Sequence, residues 1–358
     1  MKIQKILTAV ALSLVLAGCN NVKNTINNEE AKSENAKNEI KFYNWGEYIG
    51  PDVIENFEKQ YDAHVICEYF DSNEMMYTKL LAGESYDVLV PSDYMIERLI
   101  KEDMIQPINK DVVTNLELVT DNVKNLDYDK GNVYSAPYFY GSVGIVYDTT
   151  KVDKNEIETK GWDILKEEKF KGEVYMYDSE RDTFMVALKA LGYSMNTENE
   201  EEIEQAYQWL LDQKEKVSPS YVTDEVIDDM ANGAKALAVV YSGDAAYILE
   251  DNPDMEYWAP TQGTNIWSDG MVIPKNAGNP ELANKFINYM LEYEPSLSNT
   301  QEVGYSSPNK EVFEEMVNGE FKDNSAYRVR TDNKNDEVFH DNEKLRTKLS
   351  DLLIKIKA

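Results

Sequence analysis

The chain alternates between short apolar runs and segments of helical period. Ile40-Lys41-Phe42-Tyr43-Asn44-Trp45 reads as a first strand. Pro51 opens a helix whose apolar positions Val53, Ile54, Phe57 and Tyr61 fall on one face. His64 to Phe70 predicts a second strand, and Glu74 to Ala82 a helix ended by Gly83. Asp87-Val88-Leu89-Val90 is a short apolar strand. Ser92 or Asp93 then caps a helix that buries Met95, Ile96, Leu99 and Ile100. Three rounds of strand and helix predict an α/β layer fold with a largely parallel sheet.

Val143 to Tyr147 is another strand, and behind it the alternation restarts. Glu173 to Tyr177 reads as a strand, Thr183 to Leu191 as a helix ended by Gly192, and Glu200 to Lys216 as an amphipathic helix. Ala236 to Tyr241 is a further strand. The pattern predicts that the chain leaves one α/β domain near Gly141 and begins another. Asn265 to Pro274 holds a short apolar run that reads as a buried strand. Residues i and i+2 of a strand face the same side, so Trp267 and Asp269 present a ring and a carboxylate to one space. Asn279-Pro280 caps a helix with Leu282, Phe286, Ile287 and Met290 inward, and Asp336 to Ala358 is helical in period.

The N-terminus follows a different pattern. Lys2 and Lys5 precede an apolar run from Ile6 to Leu16, followed by Leu16-Ala17-Gly18-Cys19. This is an export signal, too short for a comfortable membrane span. Small residues directly before a cysteine make it look like a bacterial lipoprotein signal, residues 1–18, with lipid on the Cys19 sulfur. Residues 19–38, rich in Asn, Lys, Glu and Ser, are expected to be a disordered tether. The remaining 320 or so residues exceed one ordinary core and predict two domains.

Charge narrows the partners. The formal net charge is −30, and loss of Lys2 and Lys5 with the signal brings it near −32. Nucleic acid is thereby an unfavoured partner, while a cationic solute is compatible with this field. If Cys19 is lipidated, Cys67 stands alone in an apolar strand, which excludes a disulfide framework. His64 and His340 are the two histidines, and no metal-ligand spacing or cofactor fingerprint is present. Nor is there a nucleophile elbow or zinc helix, so an enzyme is not predicted.

Ligands of open α/β sheets bind beyond the carboxyl ends of the strands. Those ends read Trp45-Gly46-Glu47-Tyr48, Pro91-Ser92-Asp93-Tyr94, Asp178-Ser179-Glu180-Arg181-Asp182 and Tyr241-Ser242-Gly243-Asp244. Trp267 and Asp269 make a fifth set. Aromatic walls pack on methylenes and attract ammonium groups, carboxylates fix individual charges, and hydroxyls satisfy remaining N–H donors. A flexible alkyl chain with two or more amines fits this chemistry.

At this point the sequence resembles a known family, the spermidine/putrescine-binding proteins of polyamine ABC importers. The likeness lies in Phe42-Tyr43-Asn44-Trp45-Gly46-Glu47-Tyr48, Ser72-Asn73-Glu74-Met75-Met76-Tyr77, Tyr86 to Ser92, Leu191-Gly192-Tyr193-Ser194, Trp267-Ser268-Asp269 and Gly304 to Asn309. It implies a periplasmic-binding-protein-like type II fold, two α/β lobes joined by crossover strands with the ligand cleft between them. The lobes would be residues 39–142 with 268–305, and 143–267 with 306–358. It implies that Trp45, Glu47, Tyr48, Ser92 and Tyr94 line the first lobe's side. Asp182, Thr223 and Tyr241 would come from the second lobe, with Trp267, Asp269 and Tyr305 completing the site. His340 matches a position where the family can use a Gln. The implied protein is a monomer without cofactor, anchored to the membrane surface and working with a membrane permease.

Two departures bear on the ligand. The family's spermidine binders carry two acids three residues apart, and here the positions are Ser179 and Asp182. Tyr241 stands where the family has a tryptophan. One fewer carboxylate suits a ligand with one fewer ammonium, so putrescine is expected to bind at least as tightly as spermidine. Another cationic solute, or a surface sensor in place of a transport component, fits the same residues.

Overall fold

The computed structural model describes residues 38–358. The signal sequence, Cys19 and all but the last residue of the tether lie outside the described residues. Ten strands form one mixed sheet. They are β1 (Glu39–Trp45), β2 (His64–Phe70), β3 (Val88–Leu89), β4 (Ile105–Gln106), β5 (Ser135–Asp148), β6 (Val174–Tyr177), β7 (Ser220–Val222), β8 (Leu237–Tyr241), β9 (Met255–Trp258) and β10 (Ile266–Pro274). Twelve helices are described: α1 (Val53–Tyr61), α2 (Asn73–Leu81), α3 (Asp93–Lys101), α4 (Lys154–Lys160), α5 (Glu180–Ala190), α6 (Glu200–Val217), α7 (Glu225–Ala231), α8 (Ser242–Asp251), α9 (Pro280–Met290), α10 (Tyr293–Val303), α11 (Lys310–Asn318) and α12 (Glu343–Lys357).

The strand order is β2-β1-β3-β10-β5-β8-β6-β7. The outer groups, β2-β1-β3 and β8-β6-β7, are parallel as expected. The two central strands are not. β10 runs antiparallel to β3 and β5, and β5 runs antiparallel to β8 and β9. The sheet is therefore mixed, which corrects the expectation of a largely parallel one.

A second correction concerns β5. Its sequence is punctuated by Pro137, Gly141 and Gly144, and the local pattern starts the strand at Val143. The strand instead runs unbroken for 14 buried residues. Its first half pairs with β10, Ser135 opposite Val272 through Ser142 opposite Ile266. Its second half pairs with β8 and β9. Ladder bonds to different neighbours along its length outweigh weak local propensity.

The terminal helix is shorter than its period suggests, because residues 336–342 are irregular and α12 begins after its cap Asn342. Other local expectations hold. β2 spans the run His64 to Phe70, and the Asn279 side chain accepts the Leu282 N–H at the start of α9. Helices pack the sheet through aromatic clusters. Phe286 of α9 meets Phe42 of β1 edge-on at 4.9 Å and Phe57 of α1 at 4.9 Å. All three rings are essentially inaccessible to solvent. Phe286→Ala is expected to cost roughly 3–5 kcal/mol of stability, the range for emptying a buried aromatic site. Denaturant unfolding would measure it, and a loss under about 1 kcal/mol would mean the site collapses without a cavity.

Candidate functional site

The site forms where β5 and β10 cross the middle of the sheet and the strand ends meet helix starts. Trp267 and Asp269 lie on β10, and the structure gives them common neighbours, as their spacing predicts. Asp269 accepts the Tyr48 hydroxyl at 2.8 Å. The Tyr48 ring stands edge-on to Tyr305 at 5.7 Å, and Tyr305 stands edge-on to Trp267 at 4.8 Å. Trp267 in turn meets Tyr241 at 6.2 Å, and Tyr241 donates its hydroxyl to Asp182 at 2.8 Å. Tyr305 donates to Asp244 at 3.1 Å. Three tyrosine–carboxylate pairs thus surround one indole.

Two glycines make room for this wall. A Cβ at Gly141 would collide with the Trp267 ring, and one at Gly243 with the Tyr305 ring. The aromatic groups sit where the backbone offers no side chain. That is a packing reason for glycine rather than a conformational one.

The carboxylates are out of water. Asp93, Asp182 and Asp269 are nearly inaccessible to solvent. Asp244 opens α8 beneath Tyr305. Asp93, Asp182 and Asp244 each lie in the first turn of a helix, where the dipole favours an ionised carboxylate. Burial opposes this and prevails. It raises Asp93 and Asp244 to about 7 and Asp269 to about 6, and it raises Asp182 as well. Hydrogen bonds from Tyr94 N–H and Ser268 N–H partly relieve Asp93, and Ser92 and Tyr48 partly relieve Asp269. Burial also holds the Tyr48, Tyr241 and Tyr305 hydroxyls well above their ordinary value, so each remains a donor. Within this cluster, Asp182 Oδ1, an acceptor, and Trp267 Nε1, a donor, are buried without a hydrogen-bond partner.

The expected residues divide into two groups. Tyr48, Asp182, Tyr241, Trp267, Asp269 and Tyr305 come together as described. Ser92 joins them through a backbone bridge to Asp269. Trp45 is half-buried and set to one side, its indole N–H on the Val90 carbonyl at 2.8 Å and its ring on Phe70. Tyr94 gives its hydroxyl to Glu74 and its face to the Arg181 guanidinium. Glu47, Thr223 and His340 stay outside. Glu47 is exposed in the turn after β1. Thr223 is exposed and tied to Glu225 ahead of α7. His340 is exposed and faces Glu97 at 3.3 Å. Among the described residues no three His, Cys, Asp or Glu side chains are grouped to hold a metal ion.

Asp93 and Asp244 were visible in sequence only as a capping residue and a strand-end acid. Both occupy the first helical turn after a strand at the sheet's carboxyl edge, and that position is the signal that marks them. Arg181 carries no such signal, being a cation in an otherwise anionic set.

Buried acids and aromatic rings without an attacking group make a receptor for an organic cation. The sequence relations agree in class. The profile of the bacterial extracellular solute-binding proteins matches residues 52–329. The spermidine/putrescine-binding periplasmic protein of Escherichia coli is 34% identical over 277 residues, 76% of this chain and 78% of that one. A putrescine/cadaverine-binding protein of Pseudomonas aeruginosa is 30% identical, covering 78% and 82%. The crystal structure of a spermidine/putrescine ABC transporter substrate-binding protein from Streptococcus pneumoniae superposes with a TM-score of 0.79 at 35% identity, covering 89% of this chain and 98% of that one. The chain belongs to the bacterial extracellular solute-binding proteins and has the periplasmic-binding-protein-like type II fold. It is a binding protein, not an enzyme.

Raised carboxyl pKa values predict a pH dependence. Between the unfolded value near 4 and native values of about 6 to 7, the folded form holds more protons than the unfolded form. This contribution to stability is greatest at the acid end and is lost as pH rises through the native values. The ligand-free protein should lose stability from this set between about pH 4 and 7, and Asp244→Asn, which cannot ionise, should lose less. Thermal unfolding across that range measures both, and parallel curves would remove Asp244 from the set.

Proposed function

We propose that this protein captures a polyamine, putrescine or spermidine, outside the cytoplasm and delivers it to the membrane permease of an ABC importer. The observation that carries the reading is the burial of Asp269 and the partial burial of Asp244 beside aromatic rings, with no cationic side chain among the influences on either. Leaving such charges unpaired in a dry site costs several kcal/mol each, roughly. Ammonium groups joined by methylenes answer this arrangement. Each nitrogen pairs with a carboxylate, Asp269 or Asp244, and the alkyl chain lies on Trp267 and Tyr305. The names of the relatives point to the same ligand class.

In this reading residues 39–142 with 268–305 form one lobe and 143–267 with 306–358 the other. β5 and β10 are the crossovers about which they close. The Tyr305–Asp244 bond joins the lobes in the closed form. The protein acts as a monomer and leaves its ligand chemically unchanged. Lipid on Cys19 holds it at the membrane surface through a tether ending near Asn38.

Titration calorimetry with putrescine and spermidine tests the ligand class, and absence of binding by either would sink it. Asp269→Asn is expected to lose roughly 2–5 kcal/mol of binding, the range for truncating one partner of a buried charge pair. Unchanged affinity would mean that Asp269 only packs. In a cell that processes lipoproteins, Cys19→Ser should move the protein from the membrane fraction to the soluble one. Persistent membrane association would count against a lipid at that residue.

A further inference from the structure

We propose that Arg181 sets the length of amine that this site accepts, by placing the protein's own cation on the aromatic face at one end. The inference rests on the polyamine reading and adds a selectivity residue to it. The Arg181 guanidinium lies over the Tyr94 ring at 3.5 Å from its centroid, with Phe339 at 5.5 Å. Glu74 lies 4.0 Å from its nitrogen, and Arg346 holds the same carboxylate at 2.7 Å. A cation over a ring beside a carboxylate is the arrangement that an ammonium ligand would seek.

Helix stability does not explain the residue. Arg181 is the second residue of α5, where the dipole disfavours a cation. Its side chain is only 18% exposed, so it also forgoes hydration. Adjacent helical residues point about 100° apart. Asp182 accordingly turns to Tyr241, while Arg181 reaches across to Tyr94 on α3.

The electrostatics divide the acids. Arg181 acts on Asp182 and Asp93. Asp269 and Asp244 show no such cation among their influences. Two carboxylates remain for two ligand nitrogens, while the third aromatic place is taken. The cavity beyond Arg181, lined by Tyr94, Phe339 and His340 among others, holds about 20 Å³. That is room for a water molecule, which needs roughly 10–15 Å³. A short diamine fits, whereas a longer amine must displace Arg181 and leave it buried without its ring.

The test is calorimetry of wild type, Arg181→Met and Arg181→Lys with putrescine, spermidine and diaminooctane, a diamine close to spermidine in length. Wild type should bind putrescine at least as tightly as spermidine, and diaminooctane about tenfold more weakly than putrescine. Arg181→Met should raise the spermidine-to-putrescine affinity ratio about tenfold or more, while Arg181→Lys, still cationic, should keep a ratio near that of wild type. Equal weakening of both polyamines in Arg181→Met would make Arg181 a closure clasp and overturn the proposal. So would an unchanged ratio, or a wild type that prefers spermidine or diaminooctane. The wild-type comparison decides even if Arg181→Met does not fold. If wild type binds none of the amines, the polyamine reading fails and this proposal with it.

Discussion

Removing carboxylates from water without supplying a cation is the constraint on which the rest of this structure depends. Asp269, Asp244, Asp93 and Asp182 are all shifted toward the neutral acid, and burial is the leading cause in each. Tyrosine hydroxyls and helix starts soften the penalty without cancelling it. An isolated buried charge costs far more than one hydrogen bond returns.

The fold makes this arrangement possible by bringing distant segments to one place. β10 carries Trp267 and Asp269 along the middle of the sheet, and β5 beside it supplies Gly141, where the indole finds space. Tyr48 arrives from the end of β1, Tyr305 from the turn after α10, Asp244 from α8 and Asp182 from α5. The carboxylates come from β10, α8 and α5, so their separations are set by how these elements pack. Fixed separations are what let a receptor distinguish amines by length, because a charge that misses its partner is left desolvated.

Net charge and local charge act at different ranges. A total of −30 spread over the surface attracts cations diffusely and is screened within about a Debye length. It cannot choose among them. Choice arises within the dry set, where one arginine acting on two of the four acids changes which ligand charges find a partner. Arg181 is a local exception to the chain's overall sign, and its effect comes from its place on the Tyr94 face.

Local signals were sufficient for much of the chain. Period-two and period-3.6 patterns located β2 from His64 to Phe70, the helices α1, α2, α3, α5 and α6 within a few residues, and the Asn279 cap of α9. The spacing of Trp267 and Asp269 alone placed them on one side of a strand, because side-chain alternation is a property of the extended backbone. The structure sets Tyr48, Asp182, Tyr241 and Tyr305, the residues the family resemblance names, beside them. Tertiary structure decided what depends on neighbours. β5 continues through Gly141 because strands on either side supply its ladder bonds. Asp93 and Asp244 join the site because their helices begin beside it. Thr223 and His340 stay outside because Glu225 and Glu97 hold them at the surface. Arg181 of α5 meets Tyr94 of α3 only through tertiary packing, a relation between residues 87 positions apart that no local pattern encodes.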